Sequence, residues 1–383
     1  MTTSNSTKPP ISRLAFVCAG LLLIGSPLSA EDWPFERGGE QSTGVANSAL
    51  PGEPELLWKY TAEASAFEAA PVVVDGVAYL GDADGAFHAV RVSDGISVWT
   101  KRFEETGFLT PAAIRGDRVF VCDYDGLLHC LSKQDGSEHW SFATNSEVFT
   151  GPIVTSDLLL ITTESGSLHA LDSVTGEERW AYTIEAPLRC GPTVVSGHVM
   201  LAGCDGKLHT VSASTGKEAG SAPIGGPTGN TAAARDGVAY FGTEQGEFFA
   251  IDANDPNTPM VKWTYRDPRR GQSIRTSAAV TNNVIVYANQ AKTVYCLSPE
   301  QGEPLWNAPQ RARVEASPLI AGDRAVIVTS RGRLMLLDLA DGETTWDYDA
   351  GGSFLASPIV VQGRLLVANT DGVLYCFGDD STE

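Results

Sequence analysis

Ala170-Leu171-Asp172-Ser173-Val174-Thr175-Gly176-Glu177-Glu178-Arg179-Trp180 is the end of an apolar strand, a Thr-Gly turn, and a second strand that carries a tryptophan. Shifting this stretch by about 40 residues, a period typical of repeat architectures, brings the rest of the chain into register with it. Trp58, Trp99, Trp140, Trp180, Trp263, Trp306 and Trp346 fall on one lattice, and only Trp33 of the eight tryptophans lies off it.

The remainder of each unit repeats as well. Small residues and a proline open it, at Pro71, Pro111, Pro152, Pro192, Pro318 and Pro358, with Ala232 and Ala278 in the two divergent units. A Val/Ile-rich run and a polar turn such as Asp75-Gly76 or Ser196-Gly197 follow. A second apolar run then leads to a glycine turn, and a third precedes the Thr-Gly or Asp-Gly turn and the tryptophan strand. Four short strands joined by turns that need positive φ make one antiparallel blade. The openings number eight, which predicts an all-β, eight-bladed β-propeller of four-stranded antiparallel blades.

The eighth unit, Ser353 to Phe377, stops before its tryptophan strand. Leu56-Leu57-Trp58-Lys59-Tyr60 stands unpaired before the first opening. Pairing the N- and C-terminal strands closes the ring and removes an exposed sheet edge, so a monomeric ring is expected.

The organisation read from the chain is a signal peptide at 1–30, an N-terminal arm at 31–55, the propeller at 56–378 and a short acidic tail at 379–383. Lys8 and Arg13, an apolar run from Leu14 to Gly25, and small residues ending at Ala30 are the pattern of a secretory signal cleaved near Ala30. The apolar run is too short to span a bilayer well, so the mature chain is expected to carry no transmembrane segment. Val17 is too bulky for the residue expected before a lipidated Cys18. The expected location is periplasmic or extracellular.

Cleavage removes Lys8 and Arg13 and no acid, leaving 25 basic against 47 acidic residues, a net charge of −22. Such a surface repels phosphate backbones and anionic lipid, which excludes nucleic acid and membrane surfaces as partners. No C-x-x-C, G-x-S-x-G, H-E-x-x-H or P-loop pattern occurs. Asp82-x-Asp84-Gly85 and Asp123-x-Asp125-Gly126 superficially match a calcium loop but fall at the repeat's second turn, so no metal ligand set is assigned. His88, His129, His169 and His209 share one repeat position and read as structural. No catalytic residue is identified.

The residues ahead of each opening carry more information. Four positions before it stand Phe67, Gly107, Val148, Leu188, Thr228, Ile274, Val314 and Phe354, which suit packing. One residue later come Glu68, Phe108, Phe149, Arg189, Gly229, Arg275, Glu315 and Leu355, which strand alternation turns toward the channel mouth. Glu68, Phe108, Phe149, Leu188, Arg189, Arg275 and Glu315 form the candidate binding site, with Arg275 and Glu315 expected to pair. Cys190 and Cys204 flank one hairpin and are either a disulfide or two buried thiols. Cys130, Cys296 and Cys376 share a core strand position. Units four to six depart most from the lattice: Ala219-Gly220 replaces a tryptophan, and Asn254 to Met260 are extra residues before Trp263. Either this arc carries function, or packing tolerates drift there.

The A-x-D-x-x-T-G-x-x-x-W signature at 170–180, with partial copies at Leu131–Trp140 and Leu337–Trp346, resembles the pyrroloquinoline-quinone (PQQ) repeat propellers. That resemblance implies that each tryptophan docks between neighbouring blades. Trp33-Pro34-Phe35-Glu36-Arg37-Gly38-Gly39 resembles the arm preceding such propellers in exported bacterial proteins, expected to lie across the outer surface of the ring. One branch of the family is catalytic, oxidising alcohols or sugars with PQQ and calcium, and carries a vicinal Cys-Cys that this chain lacks. The other is non-catalytic, typified by the propeller subunit of the outer-membrane β-barrel assembly machinery, which grips its partner through a Leu-Arg segment similar to Leu188-Arg189. The reading that follows is a scaffold without cofactor that binds another envelope protein or a ligand. The alternatives are a PQQ-dependent oxidoreductase and a small-molecule sensor.

Overall fold

The computed structural model describes residues 1–2, 32–63 and 65–379. The signal segment with its cleavage point, Cys18, and the tail beyond Asp379 lie outside the described residues. Eight sheets of four antiparallel strands form the ring expected from the sequence. No helix of the described residues is long and apolar enough to cross a membrane.

The burial of each strand follows from its place in the blade. Innermost strands such as Val72–Val74 and Leu319–Ala321 are two or three residues long and wholly buried. The two middle strands, for example Leu158–Thr162, read as near-continuous buried runs because each blade has a neighbour on both faces. Outermost strands such as Glu178–Thr183 alternate, with every second residue turned to solvent. The core is therefore a series of apolar layers between blades, including one around Phe120, Leu160 and Val199 and another around Tyr240, Phe248 and Tyr287.

Tryptophan sets the spacing of these layers. In all eight blades the pairing of the outermost strand slips at the residue just before the tryptophan position. Such a bulge twists the strand and re-aims the side chain that follows, here toward the next blade. The indole lies on the glycine of that blade's last turn. A Cβ on Gly95, Gly136, Gly176, Gly216, Gly302 or Gly342 would come within 2.4–2.8 Å of Trp58, Trp99, Trp140, Trp180, Trp263 or Trp306 respectively. Five of these indoles also donate to a carbonyl of that blade, at 2.8–3.1 Å: Trp58 to Val92, Trp99 to Lys133, Trp180 to Ala213, Trp263 to Pro299 and Trp306 to Leu339. Trp346 meets the blade divided between the chain ends and packs edge-on against Phe377.

Closure is as expected. Glu55–Thr61 pairs antiparallel with Val373–Gly378, with Trp58 opposite Cys376. The divergent arc is explained by packing. Where the fourth blade has Gly220 in place of tryptophan, the extra residues of the fifth blade fill the seat. A Cβ on Gly220 would lie 2.5 Å from the Asn257 carbonyl oxygen and 2.7 Å from that of Pro256. Thr210 Oγ1 donates to the same Pro256 carbonyl. The lost indole and the inserted loop are two halves of one substitution.

The arm corrects the sequence reading. Instead of crossing the outer surface, residues 32–48 coil around the inside of the ring and touch all eight blades in turn. The N–H groups of Val73, Ile114, Val194, Ala234, Val280 and Ile320 donate to the carbonyls of Trp33, Pro34, Glu40, Gln41, Thr43 and Gly44 at 2.8–3.0 Å. Gly151 N–H reaches Glu36 Oε2 at 3.1 Å, and Gly363 N–H reaches Ser48 Oγ at 3.2 Å. A sequence pattern of blades carries no mark of this, because the arm belongs to no repeat.

Two outcomes check this account. Trp58→Ala is expected to lower stability by about 3 kcal/mol, as for other large-to-small core changes, read as a lower urea midpoint at unchanged slope. Gly220→Trp restores the repeat pattern yet is expected to destabilise by about 2 kcal/mol, because the Pro256–Asn257 backbone holds the seat.

Candidate functional site

Each loop leading into a blade places its side chains by a fixed count. Five residues before the start of the innermost strand a buried residue docks through its N–H onto the preceding blade. Phe67, Phe108, Leu188, Ile274 and Phe354 do this, donating to Asn369, Asp82, Thr163, Thr243 and Thr329. The next residue faces the channel. In the second blade that residue is Leu109, not Phe108, because Ala112 and not Pro111 stands in the opening-proline position there. Phe108 is fully buried against Phe87 and Phe103, so its assignment to the mouth is corrected. Leu188 is likewise buried and serves as the peg beneath Arg189.

The ring of mouth residues is thus Glu68, Leu109, Phe149, Arg189, Gly229, Arg275, Glu315 and Leu355. Seven of them, all but Arg189, line a cavity of about 210 Å³ in the channel, together with Glu36 of the arm. Below them runs a belt that sequence reading missed. Gly191 N–H donates to Thr231 Oγ1, Thr231 N–H to Ser277 Oγ, Ser277 N–H to Ser317 Oγ and Ser317 N–H to Ser357 Oγ, at 2.9–3.1 Å. The hydroxyls stitch blades four to eight together around the channel. Their signal was a hydroxyl residue recurring just before the opening Pro or Ala.

A second, outer ring comes from the turn after the second strand of each blade: Ala83, Tyr124, Glu164, Cys204, Glu244, Gln290, Ser330 and Thr370, each donating its N–H to the loop leading into its own blade. This ring decides the electrostatics. Arg189 Nε and Nη2 clamp Glu164 at 2.8 and 2.5 Å. That hydrogen bond holds the Glu164 carboxyl below its ordinary range, against a smaller upward push from burial. Arg275 Nε lies 3.2 Å from Glu244 Oε1, while Glu315 accepts from Gln290 Nε2 at 3.0 Å and lies 3.8 Å from Arg313. The expected Arg275–Glu315 pair is therefore not made; each residue pairs with the outer ring of the blade before it.

On the arc of blades two to four the mouth presents exposed aromatic surface. Phe149 is 51% and Tyr124 55% exposed. The Arg189 guanidinium lies 5.7 Å from the centre of the Phe149 ring. Tyr124 fills in the second blade the place that Glu164 fills in the third, and so flanks the loop that carries Phe149. The result is an arginine held rigid by a bidentate carboxylate and stacked on an open phenyl face.

Other candidates resolve into structure. Asp82 accepts from the N–H groups of Ala86 and Asp84 at 2.8 and 3.0 Å and pairs with His88 Nε2 at 3.0 Å. Burial pushes its carboxyl up, and these bonds outweigh that push and hold it low. Asp123 and His129 repeat the arrangement at 3.3 Å. The two Asp-x-Asp-Gly segments thus serve their own turns. Cys190 and Cys204 are free thiols, so the disulfide is not formed. Cys190 is buried, which pushes its thiol up to about 12, and Cys204 donates to the Thr228 carbonyl at 3.4 Å.

Beneath the cavity, the arm forms the floor. Glu36 faces the channel, its carboxyl raised by burial against the Gly151 N–H and Arg37. Arg37 is 1% exposed and sends Nη2 across to the carbonyls of Pro318 and Ala278, at 2.7 and 3.1 Å.

The family model described as outer membrane protein assembly factor BamB matches residues 101–265 and 251–378. BamB of Legionella pneumophila is 36% identical over 285 residues, 71% of this chain and 73% of that protein. BamB of Xanthomonas campestris is 38% identical over 100 residues, which span only a quarter of its own length. Among solved structures, BamB of Moraxella catarrhalis superposes with a TM-score of 0.72 at 15% identity, covering 86% of this chain and 99% of that one. A quinohemoprotein alcohol dehydrogenase from Comamonas testosteroni superposes with a TM-score of 0.77, also at 15% identity, over 92% of this chain and 82% of that one. At that identity the superpositions speak for the fold alone.

The mouth pair separates structural from surface roles. Leu188→Ala is expected to cost about 3 kcal/mol as a buried peg. Arg189→Ala, its neighbour, is expected to change stability by less than about 1 kcal/mol, since its ion pair is solvent-exposed. Thermal unfolding of both variants checks this.

Proposed function

The chain belongs to the family of the outer membrane protein assembly factor BamB, and we propose that it is an exported, non-catalytic propeller that docks another envelope protein on the open mouth of its ring. The observation that carries this reading is the Tyr124–Phe149–Arg189 arc. Exposed aromatics beside an arginine whose geometry is already fixed are the composition of an interface hot spot, because little side-chain freedom is lost on binding. Exposed apolar surface rimmed by polar and charged residues is the composition of an interaction site. The buried Leu188 holds Arg189 at a height where a partner can reach it.

The cofactor of the catalytic branch does not fit this channel. PQQ is a tricarboxylate, and the cavity is lined by Glu36, Glu68 and Glu315, with its single arginine, Arg275, paired to Glu244. Carboxylates facing a poly-anion in a partly desolvated space repel it. The arm also fills the lower channel, leaving about 210 Å³ above it. Both features support a scaffold over an oxidoreductase.

The test is site-specific photo-crosslinking in the cell envelope. A photoreactive residue at position 149 is expected to capture a discrete protein, and one at Asp117, in a hairpin turn at the far end of an innermost strand, is expected not to. Arg189→Ala and Tyr124→Ala should each reduce capture at position 149 about 30-fold, the effect of losing an anchor worth about 2 kcal/mol. Equal capture from both faces, or capture unaffected by the two substitutions, would overturn the proposal.

A further inference from the structure

The arm is bound to the ring as a ligand would be. The eight blades are complete without it: every blade has its four strands, and the strand that closes the ring, Glu55–Thr61, comes after the arm. Only Val45–Ala46 joins a sheet, as a two-residue parallel addition beside Leu319–Ala321. Otherwise the arm lies on the channel face of the innermost strands and gathers one N–H from each blade through six of its carbonyls, the Glu36 carboxylate and Ser48 Oγ.

Main-chain bonds of this kind give affinity without sequence preference; side-chain sockets supply the preference. Three sockets are present. Trp33 is 3% exposed, packs in the layer of blades seven, eight and one with Val73 and Phe354, and donates Nε1 to the Glu36 carbonyl at 3.3 Å. Phe35 is 2% exposed in the layer of Ala113, Val154 and Val194. Arg37 reaches the opposite side of the ring, where two carbonyls receive it. Burial pulls its pKa down to about 10, so it stays charged at neutral pH, and Glu36 beside it opposes the shift. A buried charge held by carbonyls is costly to misplace, which makes this contact the most selective of the three.

Glycines fix the path. Gly44 has φ +64°, and a Cβ there would run into Arg37 Nη2; Gly38 has φ +90°, with the Trp33 ring 3.1 Å from where its Cβ would be. The recognised pattern is therefore Trp-x-x-x-Arg-Gly followed, six residues on, by glycine. The chain between the last contact and the closing strand is exposed at Ala49, Gly52 and Glu53, and a Cβ on Gly52 would meet nothing within 4 Å.

We propose that the ring face opposite the mouth is a peptide-binding site for an extended Trp-Pro-Phe-Glu-Arg-Gly segment, which the chain fills with its own residues 33–48, and that this segment binds as well in trans as in cis. Seated, the segment closes one end of the channel and leaves the mouth a blind cavity.

The full chain provides the test, with a specific protease site placed between Gly52 and Glu53 and cut after folding. The cut arm is expected to stay with the ring through gel filtration and native mass spectrometry. An isotope-labelled synthetic peptide of residues 32–52 in excess is expected to replace it, and the same peptide with Arg37→Ala to compete at least 100-fold less well. Because the ring is unaltered, folding of a variant does not enter the comparison. Release of the arm on cutting with the ring intact, loss of the folded ring on cutting, failure of excess peptide to exchange, or equal competition by the Arg37→Ala peptide would each overturn the proposal.

Discussion

An indole laid on a glycine holds neighbouring blades of this ring together. The tryptophan is turned sideways by a bulge in its own blade, and the next blade must offer a position without a side chain to receive it. This contact fixes the spacing between sheets, and the spacing fixes everything measured from it: the apolar layers between blades, the count from each buried peg to each mouth residue, and the width of the channel. It is also unforgiving, since a single added carbon on the glycine would overlap the ring system, well inside van der Waals contact. The one blade that abandoned the indole shows what is conserved physically. Pro256 and Asn257 refill the seat with backbone, so the layer keeps its thickness while the sequence loses its marker.

The same contact explains how much could be read from the sequence. The period, the blade count and the closing strand were legible because each rests on residues that recur: tryptophan, turn glycine, and an opening proline or alanine. Recurrence also misled. Pro111 was read as the opening proline of the second blade, although the loop before it is one residue longer, which moved Phe108 to the channel and hid Leu109. Side-chain pairing was not legible at all. Arg275 and Glu315 are neighbours around the mouth, yet each finds its partner on the outer ring, whose residues lie some 30 positions away in one case and 25 in the other. Cys190 and Cys204 lie near in the hairpin, but proximity in a hairpin does not aim two sulfurs at each other. The arm's course was beyond reach for a different reason: it is a non-repeating segment, and nothing in a repeat states what will lie in the hole that the repeats surround.

The two ends of the channel differ in chemistry because of that arm. One end is filled by main-chain bonds and by Arg37, which crosses to the far blades. The other is open, polar at its centre and aromatic along one arc. A ring of eight similar blades has near-rotational symmetry and would by itself offer eight similar places to bind. The symmetry is broken twice over, by the arm below and by the choice of mouth residues above, and the second break is the more local. Glutamates stand on blades one and seven, arginines on four and six, and apolar side chains on two, three and eight.

That distribution bears on what the mouth can hold. Had the arginines been left unpaired, they would form a diffuse positive field suited to any anion, in a molecule whose net charge is strongly negative. Each is instead neutralised by a glutamate of the outer ring, which removes long-range attraction and leaves geometry as the means of selection. For Arg189 that geometry is a guanidinium 5.7 Å from the centre of the Phe149 ring and clamped by both carboxylate oxygens of Glu164. A flat, rigid, partly apolar surface of this kind favours a partner segment that can lie along it and accept hydrogen bonds from its edge. The carbonyls of an extended polypeptide meet that requirement. A small anionic metabolite does not, since it would have to displace Glu164 to gain a full ion pair.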